Sequence, residues 1–353
     1  MSEKISLDSS EINKLFMLYI EASQINSNGG IVLLDLLLRR IKERNIDAII
    51  YIGYGHVLNR LKYLESKNIR LVRTSLFKTF VRYVSRRNKV LFLCNLPPFR
   101  RNLSSIIYIH NLFFAERPKW TNIDSTIGLN LRKYLYYILL KLFMRKVDIV
   151  ACQTSEMAIR LKNTFGISPL VLPFFEDIKR KVAEKKYDFF YPGSSATHKN
   201  NNVLLDAIEK ASRHAHFTIA LTIGCKNTIL QNRIKQINQS AGYEIIHNLG
   251  TISHDVVLEV FSQSRALLFP SLKESFGLPL VEALQQGITV IASNLPYTFE
   301  VVHNPITFYP YDSSDISDCM LHFLNGEYID IDQRLMVSNK IDRLIDLLIG
   351  KLS

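Results

Sequence analysis

The chain repeats one pattern: a short, unbroken apolar run, then a polar or glycine-containing loop, then an amphipathic stretch. Apolar runs fall at residues 15–20, 48–52, 69–72, 90–94, 106–109, 148–151 and 170–172, and a second series at 188–191, 217–222, 244–247, 266–269 and 289–292. Several are continuously hydrophobic rather than alternating, which is the pattern of strands covered on both faces in a parallel sheet. Helix-like segments separate them, at 31–44, 201–213, 278–286 and 313–324. The fold class expected is α/β.

The runs fall into two sets separated by residues 173–186, PFFEDIKRKVAEKK, a charged stretch that reads as a linker. This gives an N-terminal domain over 1–175, a second over 186–330, and a helical tail over 331–353 that is expected to pack back on the first. With 353 residues and 47% hydrophobic content, both domains can bury a core. The polar, acid-bearing N-terminus carries no secretory pattern, and the longest apolar stretches are broken by Asp35 and Lys141. No membrane span is therefore expected, and the expected location is cytoplasmic. The cysteines, Cys94, Cys152, Cys225 and Cys319, form no CxxC pair, so buried free thiols are expected and a metal cluster is not. A net charge of +12 favours an anionic partner: nucleic acid, an acidic membrane surface or a phosphorylated ligand.

The stretch 266–294 carries the most chemistry. It reads as strand, loop, helix and strand: one βαβ unit, with Pro279 in the helix's first turn and Gly287 at its end. Ligands of such sheets bind at the carboxyl ends of strands. Phe276, Gly277 and Leu278 place N–H groups at a helix start, where phosphate binds. Glu274 on the loop and Glu282 on the helix suit acceptance of hydrogen bonds from sugar and ribose hydroxyls.

Glu274 and Glu282, separated by seven residues with Ser275-Phe276-Gly277-Leu278-Pro279 between, resemble the signature of retaining glycosyltransferase family 4. The resemblance implies two Rossmann-like domains facing each other across a cleft (the GT-B type), with the donor in the C-terminal half and the acceptor in the N-terminal half. It implies that Glu274 lies by the donor sugar and that Glu282 holds the nucleotide ribose. It further implies retention of configuration, no required metal, and a nucleotide sugar such as a UDP-, GDP- or dTDP-sugar as co-substrate. Five other segments fall in the order that this resemblance requires. In residues 190–207, a strand ends near Gly193 and Lys199 stands at a helix start, where the family holds the diphosphate; Ser194 occupies a position where many members have arginine. Gly29 and Gly30 follow the first strand and open the first helix, lining the implied cleft. His110 ends a strand, at a location where members often carry a histidine that touches the donor sugar. Residues 90–98 and 294–301, the latter with Glu300 expected at a helix start, resemble members that build bacterial O-antigen and other surface polysaccharides.

The function expected is transfer of a sugar to a growing, lipid-linked glycan in surface polysaccharide synthesis. A sugar-nucleotide epimerase and a catalytically degenerate scaffold are the alternatives. The basic, apolar stretch 131–146 reads either as a core helix or as a helix lying on anionic lipid at the inner face of the cytoplasmic membrane. No nucleic-acid-binding motif is present. Three features are set aside: the 330–332 DxD triplet as a helix N-terminal acid cluster, His214 and His216 as structural, and Gly53-Tyr54-Gly55 as an incomplete dinucleotide fingerprint.

Overall fold

The structure is a computed structural model that describes residues 17–84, 89–93, 96–102, 104–118, 127–328 and 331–351. Its contacts divide the chain into two units, Met1–Glu176 with Asn339–Ser353, and Asp177–Ser338.

The first unit is a seven-stranded sheet: β1 (Leu18–Glu21), β2 (Ala48–Ile52), β3 (Ile69–Arg73), β4 (Lys89–Phe92), β5 (Ser104–Ile109), β6 (Ile149–Cys152) and β7 (Leu170–Val171). The spatial order is β3-β2-β1-β4-β5-β6-β7 and every pairing is parallel. Its helices are α1 (Asn28–Glu43), α2 (Gly55–Leu61), α3 (Leu76–Val84), α4 (Ile127–Phe143) and α5 (Ser155–Phe165). Successive residues of β5 show why its run is unbroken. Ile106 and Tyr108 enter one buried cluster with Leu34 and Leu37 of α1, while Ile107 and Ile109 enter another with Leu140 of α4 and Leu161 of α5. Both faces are covered, so neither needs a polar residue.

The second unit holds β8 (Tyr187–Tyr191), β9 (Ile219–Leu221), β10 (Ile246–Asn248), β11 (Ser264–Phe269), β12 (Thr289–Ser293) and β14 (Ile306–Phe308), in the order β10-β9-β8-β11-β12-β14, again all parallel. A separate antiparallel pair joins β13 (Val302–His303) to β15 (Arg334–Leu335). The helices are α6 (Asn201–Ala211), α7 (Thr228–Ala241), α8 (His254–Ser262), α9 (Leu278–Gln286), α10 (Pro296–Val301) and α11 (Ser313–Leu324).

The tail departs from a single helix over 331–353. Residues 334–335 form β15 in the second unit, and only α12 (Ile341–Ile349) is helical. α12 packs into the first unit. Ile341, Leu344, Ile345 and Leu348 are buried beside α1 residues, each burial contributing roughly 2 kcal/mol before conformational entropy is subtracted. Its polar face is pinned by Arg40, whose guanidinium donates to both oxygens of Asp342 at 2.9 and 2.7 Å, and by Arg44, 2.5 Å from Asp346. Of the cysteines, Cys152 and Cys319 are buried, Cys225 is exposed, and Cys94 lies outside the described residues. Burial pushes the Cys319 thiol up to about 11. No described helix is long and apolar enough to cross a membrane.

Candidate active site

In the second sheet the chain runs outward from β8 through β9 to β10, then returns to place β11 on the other side of β8. The loops that leave β8 and β11 diverge at this reversal, and that is where a doubly wound sheet leaves a crevice for a ligand. Gly193 and Lys199 lie on the first loop and Glu274 on the second.

The β8 loop is folded back onto its strand. The Tyr191 hydroxyl donates to the Lys199 carbonyl at 2.8 Å, and a Cβ on Gly193 would lie 2.3 Å from two Tyr191 ring carbons, so only glycine passes. A 3-10 turn, Thr197–Lys199, ends at Asn200, whose backbone is left-handed (φ 58°) and whose Nδ2 donates to the Pro310 carbonyl at 2.6 Å. α6 starts there. Lys199 therefore stands on the turn just before the helix.

The ammonium of Lys199 lies 2.5 Å from Glu274 Oε1, with the two side chains 15% and 14% exposed. The Ser271 hydroxyl donates to the same oxygen at 2.6 Å, and Tyr297 in α10 donates to the Ser271 carbonyl at 2.7 Å. The Leu272 N–H donates to the His198 carbonyl at 2.8 Å, locking the two loops together. The carboxylate is thus positioned by a hydroxyl and a cation; among the described residues the ammonium has Glu274 as its hydrogen-bond acceptor and lies 5.4 Å from the Phe269 ring centre, which leaves it donor capacity for an anion.

Gly277 (φ 84°) precedes α9 as its N-cap residue, and no side chain caps the helix. Pro279 occupies the first turn and Gly287 (φ 69°) the C-cap. Phe276 is buried, which fixes the turn from below. One turn into α9, Glu282 is 7% exposed and its Oε1 lies 2.8 Å from His254 Nε2. The two glutamates of the signature thus meet different partners, one a lysine and one a histidine. Sequence reasoning missed His254. The Ser253-His254-Asp255 run before an apolar stretch marks a helix start, and Ser253 does cap α8. The pairing with Glu282, 28 residues away, has no local signal. Ser194 is exposed: its hydroxyl is 3.4 Å from the Ala196 N–H, and its carbonyl accepts from Asn201 Nδ2 at 2.9 Å.

In the first unit, Gly29 and Gly30 lie in the first turn of α1, where the Ser27 hydroxyl accepts from the Gly30 N–H at 3.3 Å. A Cβ on Gly30 would approach His110 Nε2 to 3.5 Å, so the structure brings this helix start and His110, just after β5, side by side. Burial pushes the His110 imidazole down to about 4, against a backbone hydrogen bond at Tyr108. At neutral pH it is an uncharged hydrogen-bonding ring. Glu300 falls in the last turn of α10, a correction to its expected place at a helix start. His216 stacks on Tyr243 with centroids 4.0 Å apart. Asp330 of the acidic triplet lies outside the described residues.

Residues 174–341 match the family model described as glycosyl transferases group 1. Similar curated proteins include the serotype-specific mannosyltransferase WbdA of Escherichia coli, 35% identical over 77 residues that span 22% of this chain and 9% of WbdA. The O-antigen chain mannosyltransferase RfbU of Salmonella typhimurium is 23% identical over 183 residues, 49% of this chain and 50% of RfbU. The chain's matches thus span half or less of these relatives. Among solved structures, Anabaena HepE, in complex with UDP and glucose, superposes with a TM-score of 0.63 over 95% of this chain and 94% of HepE at 13% identity, a likeness of fold. The chain thus joins two parallel-sheet α/β units of the GT-B type, and its residues 174–341 are similar to the glycosyl transferases group 1 family.

Proposed function

We propose that this protein is a glycosyltransferase that moves a sugar from a nucleotide-sugar donor to a growing, lipid-linked glycan in surface polysaccharide biosynthesis. It works in the cytoplasm at the inner face of the membrane, with retention of configuration and no required metal. The observation that carries the reading is the Lys199–Glu274 pair at the strand reversal of the second unit. The UDP and glucose bound by Anabaena HepE and the mannosyltransferase activity in the names of WbdA and RfbU support it.

The roles follow from chemistry. Departure of a nucleoside diphosphate builds negative charge on phosphate oxygens, and preorganised donors lower that barrier. Lys199 supplies a cation, and the start of α9 at Phe276, Gly277 and Leu278 supplies N–H groups and a helix dipole. Gly193 and Ser194 bring backbone close to the same anion. Glu274, held by Ser271, orients the sugar through its hydroxyls, and Glu282, held by His254, receives the ribose hydroxyls. His110 beside Gly30 supplies a neutral hydrogen-bonding group in the first unit, which takes the acceptor. The donor phosphate takes the proton of the attacking hydroxyl.

Ser194 in the place of arginine favours a second reading, a scaffold that binds donor without turnover. An assay with lipid-linked acceptor separates the readings. Steady release of nucleoside diphosphate, with NMR of the product showing the donor's anomeric configuration, supports the transferase. Epimerised nucleotide sugar with no diphosphate released indicates an epimerase, and tight donor binding without turnover indicates the scaffold.

A further inference from the structure

The first unit exposes an apolar surface that its sheet does not use. On α4, Leu131, Leu135, Ile138 and Leu142 are 48–66% exposed, at spacings of four, three and four, and so form one stripe along the helix. On α3, Phe77, Phe80 and Val81 are exposed on one face, Phe77 by 75%. An aromatic bridge joins the two: Phe80 packs on Phe99 with centroids 5.9 Å apart, and Phe99 on Phe143 at the end of α4 at 4.9 Å. Lys146 fixes the bridge by donating to the Phe99 carbonyl at 2.8 Å. The two faces therefore form a continuous patch on one side of this unit.

Charge distinguishes its occupant. Residues 76–84, 96–102 and 127–147 contain no aspartate or glutamate, while Lys78, Arg100, Arg101, Lys141 and Arg145 are exposed on them. Of these, Arg101 stands 3.6 Å from Asp148. A second copy of the chain would bring like charges together at this face. Nucleic acid would leave the aliphatic stripe with no base to stack on it. An apolar face several turns long, bordered by cations and without acids, matches the boundary between acyl chains and anionic headgroups.

We propose that α3 and α4 together form a surface that seats the first unit on an anionic lipid bilayer, with Phe77, Phe80 and the Leu131–Leu142 stripe entering the acyl boundary and the flanking cations meeting headgroups. This depends on the first unit's surface and not on transferase activity, so vesicle binding tests it separately.

The test is cosedimentation of the intact chain with phosphatidylcholine vesicles, with and without phosphatidylglycerol, at low salt and physiological salt. Wild type is expected to partition to the phosphatidylglycerol vesicles, more strongly at low salt. Phe77→Ser/Phe80→Ser and Leu135→Ser/Leu142→Ser are each expected to weaken partitioning about tenfold or more through lost apolar burial. In Lys141→Glu/Arg145→Glu, each cation lost is expected to weaken it about fivefold. The positions are exposed, so Leu135→Ser/Leu142→Ser and Lys141→Glu/Arg145→Glu should keep the wild-type melting temperature, and the α3 variant, which loses the Phe80–Phe99 contact, should melt within a few degrees of it. Wild type that ignores both vesicles overturns the proposal. So does an α3 variant that binds as wild type does, since the two helices would then not act as one surface. A dimer in sedimentation velocity that the α4 variant dissolves, with no vesicle binding, overturns it as well by assigning the face to a second copy.

Discussion

Each of the two large sheets reverses direction beside its first strand, and each carries a carboxylate and a cation there. In the first unit they are Glu21, the last residue of β1, and Arg82 of α3; in the second they are Glu274 and Lys199. The first pair is closed. The side chains are 3% and 9% exposed, Arg82 engages both Glu21 oxygens at 2.7 and 3.2 Å, and its remaining donors reach Thr74 at 2.8 Å and Thr79 at 3.0 Å. The ring of Tyr51 lies 4.0 Å from the guanidinium carbon. The second pair is more open, and its ammonium is committed to Glu274 while keeping donor capacity. The same topology and the same charges thus give a structural clamp in one case and a candidate site in the other. What separates them is how much of the cation's hydrogen-bonding capacity the protein already uses.

That contrast is broken most directly at Arg82. Arg82→Met leaves the Glu21 carboxylate buried without its partner and is expected to cost about 3–5 kcal/mol in urea unfolding, with most of the loss regained in Glu21→Gln/Arg82→Met. A loss under about 1 kcal/mol would remove the distinction between clamp and site. Lys199→Ala is expected to do the reverse. Stability should fall less than in Arg82→Met, because Glu274 keeps the Ser271 hydroxyl and some solvent contact, while kcat/KM with the productive donor falls about 10²- to 10³-fold. Activity within a factor of about two of wild type would take Lys199 out of the site.

Stability also depends on pH through His110. The folded imidazole of His110 is held at about 4, below its ordinary value of 6.5. The unfolded chain therefore takes up the proton first, and the stability from the neutral ring is present above pH 6.5 and lost as pH falls toward 4. Between pH 7 and 5 the loss is about 2 kcal/mol, and His110→Asn should flatten that part of the urea-midpoint profile. An unchanged slope would mean that the ring titrates normally. The smallest effect is at His254. His254→Gln should weaken nucleotide binding roughly fivefold, about 1 kcal/mol, by loosening the Glu282 carboxylate, and leave the donor's sugar preference intact. Equal binding would show that Glu282 holds its position without the histidine.

The α/β class and the principal strands were legible because buried parallel strands leave unbroken apolar runs; residues 48–52 match β2 end to end. α9 was legible to the residue, since Pro279 marks its start and Gly287 its end. β13 and β15, two residues each, leave no period to detect. α2, α3, α5, α7 and α8 were missed: α2, α3 and α8 are nine residues or fewer, and exposed apolar side chains such as Phe77, Ile159 and Ile229 blur the faces of α3, α5 and α7. The tail was misread because residues 331–338 contribute to the second unit before the chain returns to the first at Asn339 and forms α12. Within the site, Glu274, Glu282 and Lys199 were legible through motif and order. Ser271, Tyr297 and His254 were not, because each acts through a contact made by the fold rather than by neighbours in sequence. Glu21 and Arg82 went unremarked for the same reason; 61 residues separate them.

The central claim is that the strand reversal of the second unit binds a nucleotide sugar. Isothermal titration of UDP-, GDP- and dTDP-sugars into wild type, Lys199→Ala and Glu282→Ala tests it most directly. The expected result is saturable binding of one nucleotide class by wild type, weakened at least about tenfold in both variants, whose melting temperatures stay near wild type. No binding of any donor at millimolar concentration, or equal binding by all three proteins, would contradict the claim.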